Sequence, residues 1–173
     1  MSEDPRGYMP VAQRHDWATP PALFDALDQE FGPFDLDPCG QREHHYTAYT
    51  IHARGGLFYD GSCPAMDGLA QDWTCTAAFV NPPYGRELSK WVRKAVREVE
   101  AGRARRVVML IPSRTDTKVW QECILREVGP RSAMHEIDAH HRIDTVRFLP
   151  GRVQFVGADG PAPFPSAIVV WTA

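Results

Sequence analysis

Cysteine is scarce in this sequence, and long apolar runs are missing altogether. The 173 residues include four cysteines, none of them in a CxxC pair. Isolated cysteines of a cytosolic chain stay reduced, so we expect no disulfide framework. No apolar run approaches the roughly 20 residues that a membrane span requires. The first 17 residues also lack the apolar stretch of a secretory signal. These absences predict a cytoplasmic protein without a membrane partner.

A metal site is not indicated either. Histidine pairs occur at 44–45 and 140–141, and cysteines at 39, 63 and 75. Their spacing differs from the ligand spacing of zinc motifs. We therefore expect no bound metal.

An excess of positive charge, the usual mark of a nucleic-acid-binding protein, is absent from the chain as a whole. The formal net charge is −3. Residues 86–152, however, hold 15 Lys and Arg against 9 Asp and Glu, a net charge of +6, while the rest of the chain carries −9. Such a basic half could contact phosphates while the acidic remainder faces elsewhere. Charges that merely scatter over a solvated surface would give the same counts.

Composition indicates one folded domain. Apolar residues make up 43 % of the chain and charged residues 24 %, as in ordinary globular proteins. The polar residues 1–15, with Pro and Gly among them, predict a loose N-terminal arm. Residues 16–173 are enough for a single domain with its own core.

Short apolar strands alternate with amphipathic helices along this domain. Thr19-Pro20 predicts a helix N-cap followed by proline at the first helical position. The predicted helices cover residues 20–31, 87–101 and 116–128, and the predicted strands cover 34–37, 77–80, 107–111, 152–156 and 167–171, with a further short strand at 46–51. The last two long strands predict a terminal antiparallel pair. This order indicates an α/β sandwich with a mostly parallel sheet.

Ligands of such sheets bind beyond the carboxyl ends of the strands. Two segments with reactive groups follow predicted strands there, Asp37-Pro38 and Asn81-Pro82-Pro83-Tyr84. The two prolines lack N–H groups and hold the chain extended. The Asn81 side-chain oxygen and the Pro82 carbonyl could then accept both hydrogens of an exocyclic amine and stabilise the charge that develops as its nitrogen attacks a methyl group. Tyr84 offers a face on which a base could stack. The same four residues could also be only a rigid turn.

The sequence resembles the phage-type Dam family of DNA N6-adenine methyltransferases. The matching pieces occur in the family's order from residue 17 onward. They are Trp17-Ala18-Thr19-Pro20, Phe34-Asp35-Leu36-Asp37-Pro38-Cys39, Asp67-Gly68-Leu69 with Asp72-Trp73, Phe79-Val80-Asn81-Pro82-Pro83-Tyr84-Gly85, Leu110-Ile111-Pro112-Ser113-Arg114-Thr115-Asp116-Thr117, Gly151-Arg152-Val153-Gln154-Phe155 and Pro163-Phe164-Pro165-Ser166-Ala167. The resemblance implies the S-adenosylmethionine-dependent methyltransferase (Rossmann-like) fold, with Asn81, Pro82, Pro83 and Tyr84 as catalytic residues.

The resemblance also implies a cofactor site. Asp37 matches the family's acid near the methionine moiety, where a carboxylate could pair with the ammonium group. The other residues that the resemblance places at the cofactor are Trp17, Thr19, Pro20, Pro38, Asp72 and Trp73. Many methyltransferases have a Gly-rich turn after the first strand, but here Gly40 is the only glycine in that turn. Residues 49–66 do not align with the family, so no acid is assigned to the cofactor ribose.

Double-stranded DNA is the expected partner, with the target base flipped out of the helix. Arg114 follows a strand end on the ligand side and could reach a phosphate. Recognition is expected from loops near residues 41–66 and 130–150, where the candidate DNA contacts are His140, His141, Arg142 and Arg147.

Other activities fit the same motif. N4-cytosine methylation needs nearly the same acceptors, and some enzymes with this motif methylate a protein glutamine. A catalytically inactive DNA-binding module on the same fold is a further alternative.

Overall fold

The computed structural model describes residues 17–40, 46–127, 135–136 and 142–173. The predicted arm at residues 1–15 lies outside the described residues. Within them, no helix is long and apolar enough to cross a membrane.

Four α-helices, one short 3₁₀-helix (Pro64–Met66) and eight strands follow one another in the described part of the chain. The helices are α1 (Pro21–Phe31), α2 (Tyr46–Ala53), α3 (Leu88–Glu100) and α4 (Lys118–Cys123). The strands are β1 (Leu36–Asp37), β2 (Leu57–Phe58), β3 (Cys75–Val80), β4 (Ala104–Pro112), β5 (Arg126–Glu127), β6 (His135–Glu136), β7 (Ile143–Phe148) and β8 (Ser166–Thr172).

Six strands form one sheet in the order β2-β1-β3-β4-β8-β7, and β5 pairs with β6 separately. The first four strands of the large sheet are parallel, and β8 runs antiparallel to both of its neighbours. Every residue from 107 to 112 and from 166 to 171 is buried. A strand buried at consecutive positions is covered on both faces of the sheet, as expected for an α/β protein. The predicted mixed α/β architecture is therefore confirmed.

The partner of the last strand differs from the prediction. β8 pairs with β7, whereas residues 152–156 form no strand of the sheet. They fold instead into a loop in which Val156 bridges Ala18 and Phe155 is buried. The prediction that 152–156 pairs with the last strand is therefore wrong.

Two predicted elements change type or length. Residues 46–51, expected as a strand, begin α2. Ala48 and Ile51 are buried whereas Tyr49 is 73 % exposed, and the i,i+3 spacing of the buried pair fits a helix rather than a strand. Helix α4 ends at Cys123, well before the predicted residue 128.

Candidate active site

The two segments predicted to carry the chemistry lie at one edge of the sheet. β1 ends at Asp37 and β3 ends at Val80, and these strands are parallel neighbours. Asp37-Pro38 and Asn81 therefore follow the sheet at the edge where β1, β2, β3 and β4 all end, which we call the carboxyl edge. The opposite edge, where these strands begin, is the amino edge.

A cleft of about 160 Å³ opens at the carboxyl edge. The turn after β1, the loop after β2, the loop before β3 and one side of α3 enclose it. Its lining consists of Pro38, Cys39, Gly40, Tyr59, Asp60, Gly61, Asp67, Gly68, Pro83 and Trp91. Aromatic faces, carboxylates and closely packed backbone together suit a ligand with both a planar ring and hydroxyl groups.

Asp37 lies behind this cleft with only 3 % of its surface exposed. Its oxygens accept hydrogen bonds from the Cys39 backbone N–H (3.1 Å) and the Thr47 hydroxyl (3.0 Å). Burial raises the pKa of Asp37 to about 6, although these hydrogen bonds act in the opposite direction. Among the described residues, no Lys or Arg forms an ion pair with it. A buried carboxylate without a cation favours a cationic ligand.

The neighbouring thiol does not add a second negative charge. Burial and the Asp37 carboxylate raise the pKa of Cys39 well above its ordinary value. Cys39 is therefore a neutral thiol at the cleft, so a positively charged ligand group there would be paired by Asp37.

Glycines from two separate loops allow the backbone to close around the cleft. A Cβ on Gly68 would lie 1.8 Å from the Pro38 carbonyl oxygen, so only glycine fits there. A Cβ on Gly40 would lie 3.3 Å from Ala48 Cβ, which is tighter than ordinary contact, and 3.4 Å from Asp37 Oδ2. The loop before β3 therefore packs closely against the turn after β1 through Gly68.

Trp73 supports the cleft from behind, whereas Asp72 lies away from it. The buried Trp73 donates from Nε1 to the Gly68 carbonyl (2.7 Å), and its ring stacks on Trp91 with centroids 6.2 Å apart. The Asp72 side chain is 69 % exposed and lies 3.5 Å from Arg103 Nε, where β3 and β4 begin. The contact with cofactor adenine predicted for Asp72 does not fit this place at the amino edge.

A buried ion-pair network fixes Trp73 in turn. Glu98 accepts from the Trp73 backbone N–H (3.0 Å) and from Arg103 Nε (2.6 Å), and it pairs with Lys94 Nζ (2.7 Å). Burial raises the pKa of Glu98, but the hydrogen bonds from Arg103 and Lys94 outweigh burial and hold it at about 2. Lys94 is buried, and Arg103, although partly exposed, is paired with Glu98, so both are poor candidates for DNA contact.

Asn81 is held in a single orientation by the chain just before α1. Its Nδ2 donates to the Trp17 carbonyl oxygen and to Thr19 Oγ1, the latter at 3.0 Å. Its Oδ1 accepts from the Tyr84 hydroxyl at 2.8 Å. An amide oxygen has two lone pairs, so Oδ1 retains capacity for a second donor.

Tyr84 is packed inside an aromatic cluster. Only 4 % of its surface is exposed, and its ring makes T-shaped contacts with Phe155 and Phe164, with centroids 6.0 and 5.4 Å away. Burial raises the pKa of Tyr84 well above its ordinary value, so the phenol stays protonated and donates to Asn81. In this arrangement its face is covered, and stacking on a base would require the cluster to open.

The segment before α1 differs from its predicted role. Pro20 is the N-cap of α1 and no side chain caps the helix, so Thr19 is not the cap that the sequence predicted. Thr19 is buried and contacts Asn81 instead. The Trp17 ring packs on Phe155 with centroids 5.1 Å apart. None of these residues lines the cleft described above.

Arg114 is the candidate DNA contact that the structure brings to the carboxyl edge. Its guanidinium carbon lies 5.9 Å from the centre of the Phe164 ring, which also packs against Tyr84. Its Nε is buried and has no hydrogen-bond partner among the described residues. An unused cationic donor beside Tyr84 fits contact with a nucleotide phosphate or base.

The other candidate DNA contacts are not brought to Asn81. Arg147 forms two hydrogen bonds of 2.7 Å with Glu30 and lies over the Phe31 ring. Arg142 immediately precedes β7. The first residue of β7, Ile143, pairs with Trp171 of β8, which on its other side pairs with Val107 of β4. Val107 lies in the half of β4 nearer the amino edge, so Arg142 is not at the carboxyl edge. His140 and His141 lie outside the described residues.

Several residues of the cleft were missed by the sequence reasoning. Asp60 and Tyr59 follow β2, and Asp67 precedes Gly68 in the loop before β3. The apolar pair Leu57-Phe58 followed by Tyr-Asp-Gly is the only sequence signal for the acid at Asp60. Two residues are too few to reveal a strand by periodicity.

Comparison with known proteins identifies one family for the chain. The family model described as DNA N-6-adenine-methyltransferase (Dam) matches residues 7–166. No curated protein matches the chain.

Proposed function

This chain belongs to the DNA N-6-adenine-methyltransferase (Dam) family, and we propose that its carboxyl edge holds both the methyl donor and the target adenine. It is an S-adenosylmethionine-dependent, adenine-specific DNA methyltransferase. The order of the strands and the antiparallel pair at the end of the chain support the methyltransferase sandwich as its fold. The single domain is proposed to span residues 16–173.

The cleft residues fit the cofactor. The buried Asp37 carboxylate, which pairs with no cation among the described residues, would hold the ammonium group of the methionine moiety. Asp60, which lines the cleft after β2, would accept hydrogen bonds from the ribose hydroxyls. Gly68 leaves room for close backbone approach. The cofactor, when bound, supplies a methyl group activated by a sulfonium.

Asn81 is the residue that carries the proposed chemistry. Its Oδ1 and the Pro82 carbonyl would accept the two hydrogens of the adenine N6 amine. The oxygen is already positioned, since both Nδ2 hydrogens are used on Trp17 and Thr19. An acceptor fixed in advance stabilises the positive charge that develops on nitrogen without reorganising during the reaction. The proposal depends on this observation: just after β3, Asn81 Oδ1 is held in place by the hydrogen bonds that Nδ2 makes to Trp17 and Thr19.

Tyr84 and Arg114 are proposed to act on the flipped nucleotide. Tyr84 shares a hydrogen bond with Asn81 in the free protein, so an entering base would replace or share that bond. Opening the cluster around Phe164 would expose the Tyr84 ring and bring Arg114 to the nucleotide backbone. In the free protein the aromatic cluster buries the Tyr84 ring, so the base is proposed to enter when this cluster opens.

The test is transfer of labelled methyl from S-adenosylmethionine to duplex DNA, followed by digestion to nucleosides. We expect N6-methyldeoxyadenosine as the product. Asn81→Ala should slow transfer about 100- to 1000-fold while S-adenosylmethionine binding, measured by calorimetry, is largely kept. Gln121→Ala, which removes an exposed amide on α4, is the control and should behave like the parent. Parent-like transfer by Asn81→Ala, or N4-methyldeoxycytidine as product, would refute the proposal.

A further inference from the structure

The Asn81 amide has two ends of nearly equal shape and opposite hydrogen-bonding character. Rotating it by half a turn would exchange the acceptor Oδ1 for the donor Nδ2. A donor at that place could not accept the amine hydrogens of a target base. The orientation of this one side chain therefore decides whether the site can act on an amine.

The neighbours of Nδ2 fix that orientation. The Trp17 carbonyl can only accept, so it favours Nδ2 over Oδ1. Thr19 Oγ1 accepts the second hydrogen at 3.0 Å, and Thr19 itself is 5 % exposed. On the other side, Oδ1 accepts from Tyr84. The Trp17 carbonyl selects the orientation, because the Thr19 and Tyr84 hydroxyls can each donate or accept. The Thr19 hydroxyl adds a second bond that holds Nδ2 in this place.

Among the described residues, the Thr19 hydroxyl makes no other side-chain hydrogen bond that competes with this one. It does not cap α1, because Pro20 is the N-cap and no side-chain cap bond is made. The backbone around it is anchored independently, since Val156 N–H donates to the Ala18 carbonyl at 2.9 Å. Removing the hydroxyl should therefore leave the segment in place and affect the Asn81 amide.

We propose that Thr19 is a positioning residue for methyl transfer, whose hydroxyl oxygen holds the Asn81 amide with Oδ1 toward the target amine. This inference rests on the proposed role of Asn81. Thr19 acts through Asn81 and not on the substrate. Its loss should therefore reduce the rate of transfer and leave the affinity for S-adenosylmethionine unchanged.

The experiment compares Thr19→Val, which keeps the shape but removes the acceptor, with Thr19→Ser, which keeps the acceptor. Thr145→Val is the matched control, because Thr145 lies on β7 and its hydroxyl bonds only Asp144 among the described contacts. Rates are measured under single turnover with saturating cofactor and DNA, and cofactor affinity is measured by calorimetry. Thr19→Val should slow transfer about 10-fold, Thr19→Ser should stay within about threefold of the parent, and cofactor affinity should not change in either.

A double variant separates this role from a general loss of structure. In the Asn81→Ala background there is no amide left to orient, so Thr19→Val should cause no further loss of rate. Equal losses in both backgrounds would overturn the inference, as would a Thr19→Val rate within twofold of the parent. If Thr19→Val does not fold, Thr19→Ala is tested by the same criteria. Full activity of Asn81→Ala would instead show that the proposed role of Asn81 itself is wrong.

Discussion

Replacing Asn81 with aspartate is the sharpest perturbation of the proposed site. Asn81→Asp keeps an oxygen where Oδ1 lies, so on chemical type alone it is conservative. The structure predicts otherwise, because the second carboxyl oxygen would take the place of Nδ2 against the Trp17 carbonyl. Two acceptors would then face each other, and only the Thr19 hydroxyl could turn to donate.

The size of the effect follows from the lost donor. An acceptor left without its donor in a buried place costs about 1–3 kcal/mol. If the strain is relieved by turning the carboxyl away from its catalytic position, the rate should fall about 5- to 150-fold. The loss should be smaller than that of Asn81→Ala, since one oxygen remains near the target amine.

The loss should also depend on pH. A protonated carboxyl can donate to the Trp17 carbonyl whereas a carboxylate cannot, so folding raises the pKa of the new group above its value in the unfolded chain. At a pH below the pKa of this group in the unfolded chain, its ionisation therefore costs the variant no stability. The stability of the variant relative to the parent falls as the pH rises through the raised pKa of the group in the folded protein.

The assay is single-turnover methyl transfer at several pH values between 5 and 8, with thermal melting measured in parallel. The ratio of variant to parent cancels effects common to both, including the titration of Asp37. We expect that ratio to fall as the pH rises, for both rate and stability. A ratio that is independent of pH, with the variant within twofold of the parent, would refute the orientation assigned to the amide.

Three further predictions concern the cofactor cleft and the DNA contact. Because the pKa of Asp37 is about 6, the thermal stabilisation given by S-adenosylmethionine should grow as the pH rises from 5 to 7.5. Asp37→Asn should weaken S-adenosylmethionine binding, measured by calorimetry, about 10- to 100-fold. An unchanged affinity would show that Asp37 does not contact the cofactor. Gly68→Ala should lower the free energy of unfolding, measured by chemical denaturation, by about 1–3 kcal/mol and weaken cofactor binding, since the Pro38 backbone must move. The control Gly160→Ala, where a Cβ would meet nothing within 4 Å, should do neither. Parent-like behaviour of both variants would contradict the close packing of Gly68 against Pro38. Arg114→Ala should weaken duplex DNA binding, measured by filter binding, and reduce its salt dependence. Arg147→Ala should leave DNA affinity unchanged, because the charge of Arg147 is paired with Glu30. Equal losses of affinity in the two variants would show that the DNA face lies elsewhere.

The sequence predicted those parts of the site that depend on local pattern. β3 is an apolar run that leads directly into Asn81, so both the strand and the place of the asparagine could be predicted. Asp37 followed from the alternation before Pro38 and from family resemblance. At both positions the residue that matters adjoins a recognisable strand end.

The remainder depends on contacts between residues far apart in the chain. Thr47 bonds Asp37 across 10 residues, and Thr19 bonds Asn81 across 62. Thr19 carries a strong local signal, since threonine before proline is typical of a helix N-cap, yet its hydroxyl is used elsewhere. Local propensity predicted the start of the helix but not the partner of the side chain, because that partner is set by tertiary packing.

The fixed amide also bears on which bases the site can accept. A thymine or guanine would present a carbonyl oxygen where adenine presents its amine. That oxygen would face Asn81 Oδ1 and the Pro82 carbonyl with no hydrogen between them. A free asparagine could turn its amide and donate, but here Trp17 and Thr19 hold Nδ2 away from the base.

A site built to accept two hydrogens rejects a base that lacks them far more strongly than a pocket that discriminates by shape alone. The contacts that position Asn81 for methyl transfer should therefore also exclude the carbonyl-bearing bases, so weakening Thr19 should relax this selection together with the rate.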